Sequence, residues 1–254
     1  MTSIPLVLSQ AEPYLIEQDY AAYTEKQHAV WAELVRRRME QLEEVAAREY
    51  LEGFEFLGLS RDQLPELRAI SQRLEPRTGW QATAVSGFMP GPAFFEMLAA
   101  RRFPITTSLR GEDSLEYTPK PDIFHDVFGH VPMHAHPVFA DFLAHYGQLC
   151  SRIHDEAILE HVGRVFWYTV EFGLIRQEGR VKVYGSGLIS SNGECLNVLK
   201  GECEVRGFDL NEVLHTPVKV DQMHKLLFAI ESFDEIYEAM YALEARIDGG
   251  RLMN

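Results

Sequence analysis

The chain has 254 residues, 46% of them hydrophobic, a size and composition that suit one compact domain with a large buried core. Its 24 Lys and Arg against 38 Asp and Glu give a net charge of -14, which argues against a nucleic acid backbone or an anionic membrane surface as partner. Three cysteines, Cys150, Cys195 and Cys203, with no C-x-x-C pair, point away from a disulfide framework or a zinc knuckle and toward a reducing cytoplasm. Residues 1–10 lack the basic start of a signal peptide, and no apolar run reaches transmembrane length.

Helical signals dominate. Residues 1–13 read as a loose N-terminal arm. Thr24 and Gln27 have the spacing of a capping box, and Trp31, Leu34, Val35, Leu42 and Val45 then recur near helical spacing. Arg36, Arg37 and Arg38 on this helix are flanked by Glu33, Glu40, Glu43 and Glu44, so they are expected on a solvated face rather than in a basic patch. Residues 75–121 are rich in Gly, Pro and Thr and read largely as loops, with short strands expected at 83–88 and 103–107. Pro137 opens a second amphipathic helix carrying Val138, Phe139, Phe142, Tyr146, Leu149, Cys150 and Ile153. A third strand is expected at 181–184, and Ser232 with Glu235 starts a last helix that Gly249 ends. No repeat or linker divides the chain. The expected architecture is mainly α with a small β-sheet, one domain over residues 1–254.

Residues 121–132 read PDIFHDVFGHVP and set His125 and His130 among apolar neighbours. On a straight α-helix, at ~100° per residue, five residues separate two side chains by about 140°, too far round for one metal. A bend or stop is therefore required, and Gly129 and Pro132 supply the means. In residues 166–174, FWYTVEFGL, Glu171 sits in an apolar run with no Lys or Arg at 167, 168, 174 or 175 to pair with it. A buried carboxylate calls for a charged partner or a metal. Two imidazoles and one carboxylate make the facial triad of ferrous oxygenases, which leaves coordination positions open. Each histidine taken alone also reads as an ordinary hydrogen-bonded core residue, so spacing by itself leaves the metal site open. His134 lies four residues after His130, but Pro132 breaks the zincin geometry and H-E-x-x-H is absent; His134 and His136 are expected in loops or at the surface.

PDIFHDVFGHVP, VFWYTVEFGL and YGSGLISS, in this order, resemble the three signature blocks of the pterin-dependent aromatic amino acid hydroxylases, most closely the bacterial members acting on phenylalanine. The likeness runs from about Tyr14 to Ile247 and covers a single catalytic domain of that type. It implies iron ligation by His125, His130 and Glu171, with Fe(II), O2 and a tetrahydropterin as reactants. It further implies pterin contacts from the loop VSGFMPGPAFF, with backbone groups of Gly87 and Met89 and a stacking ring at Phe94. Asp126 stands where many members have Glu, and Phe166 where some have Tyr, so the pterin neighbourhood departs from the pattern at two places.

The resemblance places substrate contacts at Arg110, Thr118, Trp167, Phe172, Gly187, Ser190, Ser191 and Val220. Arg110 suits an amino acid carboxylate through two parallel hydrogen bonds, although a surface arginine reads equally simply. Trp167, one α-helical turn before Glu171, would project on the same face. Trp167 resembles the phenylalanine and tyrosine hydroxylases and Val220 the phenylalanine branch, so the expected reaction is ring hydroxylation of L-phenylalanine to L-tyrosine by a monomer, a dimer being the alternative. Tryptophan as substrate or another ring position remains open. Two rivals are a 2-oxoglutarate oxygenase, whose ligands usually run His-x-Asp and then His, and a helical regulatory protein whose triad holds zinc. Structural zinc calls for four protein ligands, and no fourth is well placed in the sequence.

Overall fold

The computed structural model describes residues 8–115, 121–219 and 222–250. Ten α-helices and six strands are seen among them. The longest early helix, α1 (Glu25–Val45), starts on the expected capping box: the Thr24 hydroxyl accepts from the Gln27 backbone N–H while the Gln27 side chain accepts from that of Thr24. It buries Val30, Trp31, Leu34, Val35, Met39 and Leu42. Arg38, expected in solvent, is buried with them, whereas Arg36 and Arg37 pair outward with Glu33 and Glu40. Helices α2 (Arg48–Leu57) and α3 (Leu67–Thr78) follow.

The stretch expected to be mostly loop is more ordered than its Gly and Pro content suggests. Strands β1 (Gln81–Val85) and β2 (Arg102–Thr106) pair in parallel, joined through α4 (Gly91–Ala99), which packs on α5 (Pro137–Cys150). Pro92 at the start of α4 is tolerated because the first helical turn has no N–H to give up. Nor is the arm loose from residue 9 onward. The buried Glu96 carboxylate accepts from the Ser9 hydroxyl and from the Gln10 and Ala11 backbone N–H groups, which docks residues 9–11 against α4.

Beyond α6 (Glu156–Phe166), a four-stranded mixed sheet forms from β3 (Leu174–Gln177), β4 (Arg180–Val183), β5 (Glu204–Gly207) and β6 (Leu226–Ile230), in the order β4-β3-β6-β5. Only β4 was expected; β6 is an apolar run whose period does not separate strand from buried helix, and β3 and β5 are four-residue pieces too short to show a period. Three short helices, α7 (Ser186–Ser190), α8 (Asn192–Leu199) and α9 (Leu210–His215), lie between the strands. The last helix, α10 (Phe233–Asp248), starts after Ser232, but the predicted capping box is absent. The Ser232 side chain makes no cap bond, and Glu235 instead accepts from the Glu231 backbone N–H. One apolar core joins the helices and both sheets.

Two segments depart from α-helical geometry, and both carry the residues of interest. Residues Phe124–His130 and Trp167–Glu171 are π-helical, so backbone bonds run from i+5 to i. Phe172 N–H, for example, donates to Trp167 O at 2.8 Å.

Candidate metal centre

The first π-helical segment resolves the five-residue step between His125 and His130. In a helix whose bonds span five residues, side chains i and i+5 fall nearly one above the other, so no bend or stop at Gly129 is needed. The two imidazole centroids are 4.9 Å apart at 89°. Aromatic packing holds the segment in place: Phe124 stacks on Phe128 at 4.6 Å, Trp31 of α1 meets Phe124 edge-on, and the Tyr50 hydroxyl donates to Phe128 O.

Glu171 closes the second π-helical segment and faces both histidines. Its Oε1 lies 3.1 Å from His130 Nε2 and its Oε2 3.7 Å from His125 Nε2. One ligand atom from each of the three lies within 4.8 Å of the others, and among the described residues no fourth His, Cys, Asp or Glu joins them. The protonation states suit a cation. Burial pushes His125 down to about 4, so its ring is neutral near pH 7. For Glu171 burial pulls upward, but the neighbouring His130 and His125 and the Ser186 hydroxyl outweigh it and hold the carboxylate down at about 2. Two imidazoles and one carboxylate, converging at metal-binding distance, fit a divalent iron with positions left open.

The tautomer of His125 follows from its neighbours. Ser190 Oγ donates to Ser186 O at 2.7 Å, so toward His125 Nδ1, 2.9 Å away, it acts as acceptor. Nδ1 therefore carries the proton and Nε2 presents its lone pair to the triad. Glu171 Oε2 in turn accepts from the Ser186 hydroxyl at 2.8 Å. Ser186, Asp122 and Phe103 were not singled out in the sequence. Asp122 accepts from the His125 backbone N–H, and Phe103 packs on the His130 ring at 4.7 Å. The spacing of Ser186 and Ser190, one helical turn apart in YGSGLISS, was the available signal.

Two glycines let α7 reach the ligands. A Cβ on Gly187 would stand 2.6 Å from the Phe172 ring, and one on Gly129 would stand 3.1 Å from Ser186. Gly187 is thus required for close approach of α7 to the Glu171 segment. Trp167 lies on the second π-helical segment, with Glu171. In the π-helical segment its partner is the fifth residue on, and its ring stacks with Phe172 at 6.1 Å and 15°. Ser191 caps α8, accepting from the Glu194 backbone N–H.

Arg110 is nearly buried and already committed along one edge: Nε and Nη2 both donate to Asp122 at 2.8 Å. The free two-bond fork expected for a carboxylate is not available through that edge. Burial pulls Asp122 upward, but Arg110 outweighs it and holds the carboxylate below its ordinary range. Asp126 accepts from the Thr106 backbone N–H at 2.7 Å, and burial pushes it up to about 7. Phe94 and Phe166 meet edge-on at 5.6 Å, and Phe166 lies 6.4 Å from His130, so an aromatic row leads from α4 to the triad. Gly87 has φ +137 with open space around it, and Met89 is buried. Thr118 and Val220 lie outside the described residues. His134 is fully buried rather than at the surface, between Trp80 and Phe103, and its Nδ1–H donates to His130 O. His136 caps α5, accepting from the Phe139 N–H.

A mainly helical domain that brings two imidazoles and a carboxylate together on distorted helices defines a mononuclear non-haem metal centre of the oxygenase type. The chain belongs to the family of biopterin-dependent aromatic amino acid hydroxylases, whose model matches residues 15–249. It is 39% identical over 230 residues to a phenylalanine-4-hydroxylase of Chromobacterium violaceum, covering 90% of this chain and 77% of that one. It is 40% identical over 227 residues to the one of Ralstonia nicotianae, covering 89% and 72%. Among solved structures it resembles the C. violaceum enzyme bound to cobalt, with a TM-score of 0.88 at 36% identity, covering 94% of this chain and 88% of that chain. The same enzyme with iron(III) and 7,8-dihydrobiopterin matches with a TM-score of 0.88 at 38% identity, over the same shares.

Proposed function

We infer that this chain is a phenylalanine 4-monooxygenase that uses Fe(II), a tetrahydropterin and O2 to convert L-phenylalanine to L-tyrosine. The observation that carries this reading is the convergence of His125, His130 and Glu171 within 4.8 Å, in a chain of the hydroxylase family. Bound there, ferrous iron supplies the redox chemistry by which O2 and the reduced pterin hydroxylate an aromatic ring. The chain's own contribution is to hold and orient. His125 and His130 offer ring nitrogens, Glu171 supplies the negative charge, and Ser190 fixes which His125 nitrogen faces the metal.

We assign the pterin to the side of the triad bounded by Gly87, Met89, Phe94, Asp126 and Phe166. The aromatic row from Phe94 to His130 supports that placement, because a flat bicyclic ring gains by stacking. We assign the aromatic amino acid to Trp167, Phe172, Gly187, Ser190 and Ser191, with Arg110, Thr118 and Val220 toward its polar end. The stacked Trp167–Phe172 pair offers an aromatic wall next to Glu171. With Asp122 on its Nε–Nη2 edge, Arg110 would meet a substrate carboxylate through its other edge. We propose one catalytic domain over residues 1–254, acting in the cytoplasm as a monomer without nucleic acid or membrane partners; the net charge of -14 and the free cysteines support this. No helix among the described residues is long and apolar enough to cross a membrane.

The test is product analysis with purified protein, Fe(II), O2 and a reduced pterin, offering phenylalanine, tyrosine and tryptophan in competition. Tyrosine formed from phenylalanine, with matching pterin oxidation, is the expected result. An iron-loaded protein that oxidises no pterin and hydroxylates no amino acid would overturn the reading.

A further inference from the structure

The helix α7 is only five residues long, yet it touches two of the three metal ligands. A helix this short has almost no internal hydrogen bonding, so its carbonyls depend largely on partners beyond its own backbone ladder. Those partners can be named. Ser186 O accepts from the Ser190 hydroxyl and Gly187 O from the Ser191 N–H. Leu188 O and Ile189 O accept from Nη2 and Nε of Arg38, at 3.1 and 2.8 Å. Arg38 comes from α1, about 150 residues away in the chain, and its Nη1 donates to Asn192 Oδ1 and Gln41 Oε1. It is 4% exposed, and all four of these oxygens are uncharged. A buried guanidinium resting on neutral acceptors costs stability, unless the negative end of a helix and several carbonyls together meet its charge.

We propose that Arg38 and Ser186 are positioning residues for the metal centre: Arg38 pins the C-terminal end of α7, and α7 presents Ser186 to Glu171 as it presents Ser190 to His125. The inference rests on the triad being the iron site. Ser186 Oγ donates to Glu171 Oε2, the oxygen that also faces His125, and so fixes which way the carboxylate turns. Without Arg38 the carbonyls of Leu188 and Ile189 would be buried and unpaired, and the helix would loosen at the end that bears Ser190. Removing a hydrogen-bond partner behind a metal ligand typically weakens metal binding by roughly 10- to 100-fold.

The experiment titrates Co(II) into the metal-free full chain and records both affinity and the visible absorption spectrum, for wild type, Ser186→Ala, Arg38→Met, Arg38→Lys and His125→Ala. Wild type is expected to bind one Co(II), and His125→Ala to lose it; if wild type binds none, the metal-site reading itself fails. Ser186→Ala is expected to weaken affinity by roughly 10- to 100-fold and to shift the spectrum, because the carboxylate turns. Arg38→Met is expected to do the same without touching any ligand, and Arg38→Lys to recover only part, since an ammonium cannot span two adjacent carbonyls as a planar fork does. Wild-type affinity and spectrum in Ser186→Ala would overturn the proposal. So would an Arg38 variant whose melting temperature falls while its Co(II) spectrum stays that of wild type. If Arg38→Met does not fold, Ser186→Ala and Arg38→Lys still decide.

Discussion

Two buried histidine–glutamate groups flank the same stretch of chain, and they differ in what they leave unpaired. In the first, Glu171 faces His125 and His130, while serines occupy the outer atoms of His125 and Glu171. In the second, His224 Nδ1 lies 3.2 Å from Glu194 Oε1, and the His224 ring lies 3.9 Å from the ring of Phe172, the residue after Glu171. Yet His224 Nε2 and Glu194 Oε2 are buried without partners, and no third ligand joins them among the described residues. Burial of a His and a Glu together does not define a metal site; convergence of their free lone pairs does. The sharpest way to break this distinction is His125→Ala. Iron content and tyrosine formation are expected to vanish together, measured by metal analysis and product assay. Retained iron with full turnover would put the metal elsewhere.

Gly187→Ala probes how closely α7 must approach the first group. The added methyl meets the Phe172 ring at 2.6 Å and Glu171 O at 3.1 Å. Overpacking of this kind costs about 1–3 kcal/mol, read as a lower urea midpoint with the slope unchanged. Turnover should fall further than stability, because the displaced groups are Phe172 and the backbone of a ligand. Glu194→Gln probes the second group. It removes a charge from a hydrogen bond already short of partners, and about 1 kcal/mol is the expected loss, with iron content unchanged. Iron loss in Glu194→Gln at full stability would mean that the two groups are one site.

The triad is legible in the sequence and its support is not, for identifiable physical reasons. His125, His130 and Glu171 stand out because polar residues in apolar runs need an explanation. The five-residue step between the histidines is awkward only on an α-helical period, and the segment that carries it is π-helical. Strand β6 is an unbroken apolar run that carries no period to read, and β3 is four residues long. Thr24 with Gln27 predicted a capping box correctly, while Ser232 with Glu235 has the same spacing and does not form one, since Glu235 turns to Glu231 N–H instead. Local spacing fixes what a cap can do; competing partners fix what it does. His134 reads as a loop residue because nothing near it in the chain signals that Trp80 and Phe103 close over it.

The smallest expected effect separates neighbours in one triplet. Arg36, Arg37 and Arg38 look alike in sequence, each surrounded by glutamates. Successive positions on an α-helix are about 100° apart, so three in a row cannot share one face, and the apolar stripe of α1 takes Arg38 inward. Arg36 stays out, its side chain 57% exposed, holding Glu33 one turn back and Glu40 one turn on. Water and salt screen such pairs, and the side chains lose freedom in forming them, so Arg36→Ala should leave the urea midpoint close to that of wild type. Co(II) affinity should remain that of wild type, since nothing connects Arg36 to α7. The comparison with Arg38→Met is decisive because charge, helix and nearly the whole local sequence are shared. If Arg36→Ala perturbed the metal spectrum as Arg38→Met is expected to, loss of positive charge on α1 would explain both, and the hydrogen bonds from Arg38 to Leu188 and Ile189 would not.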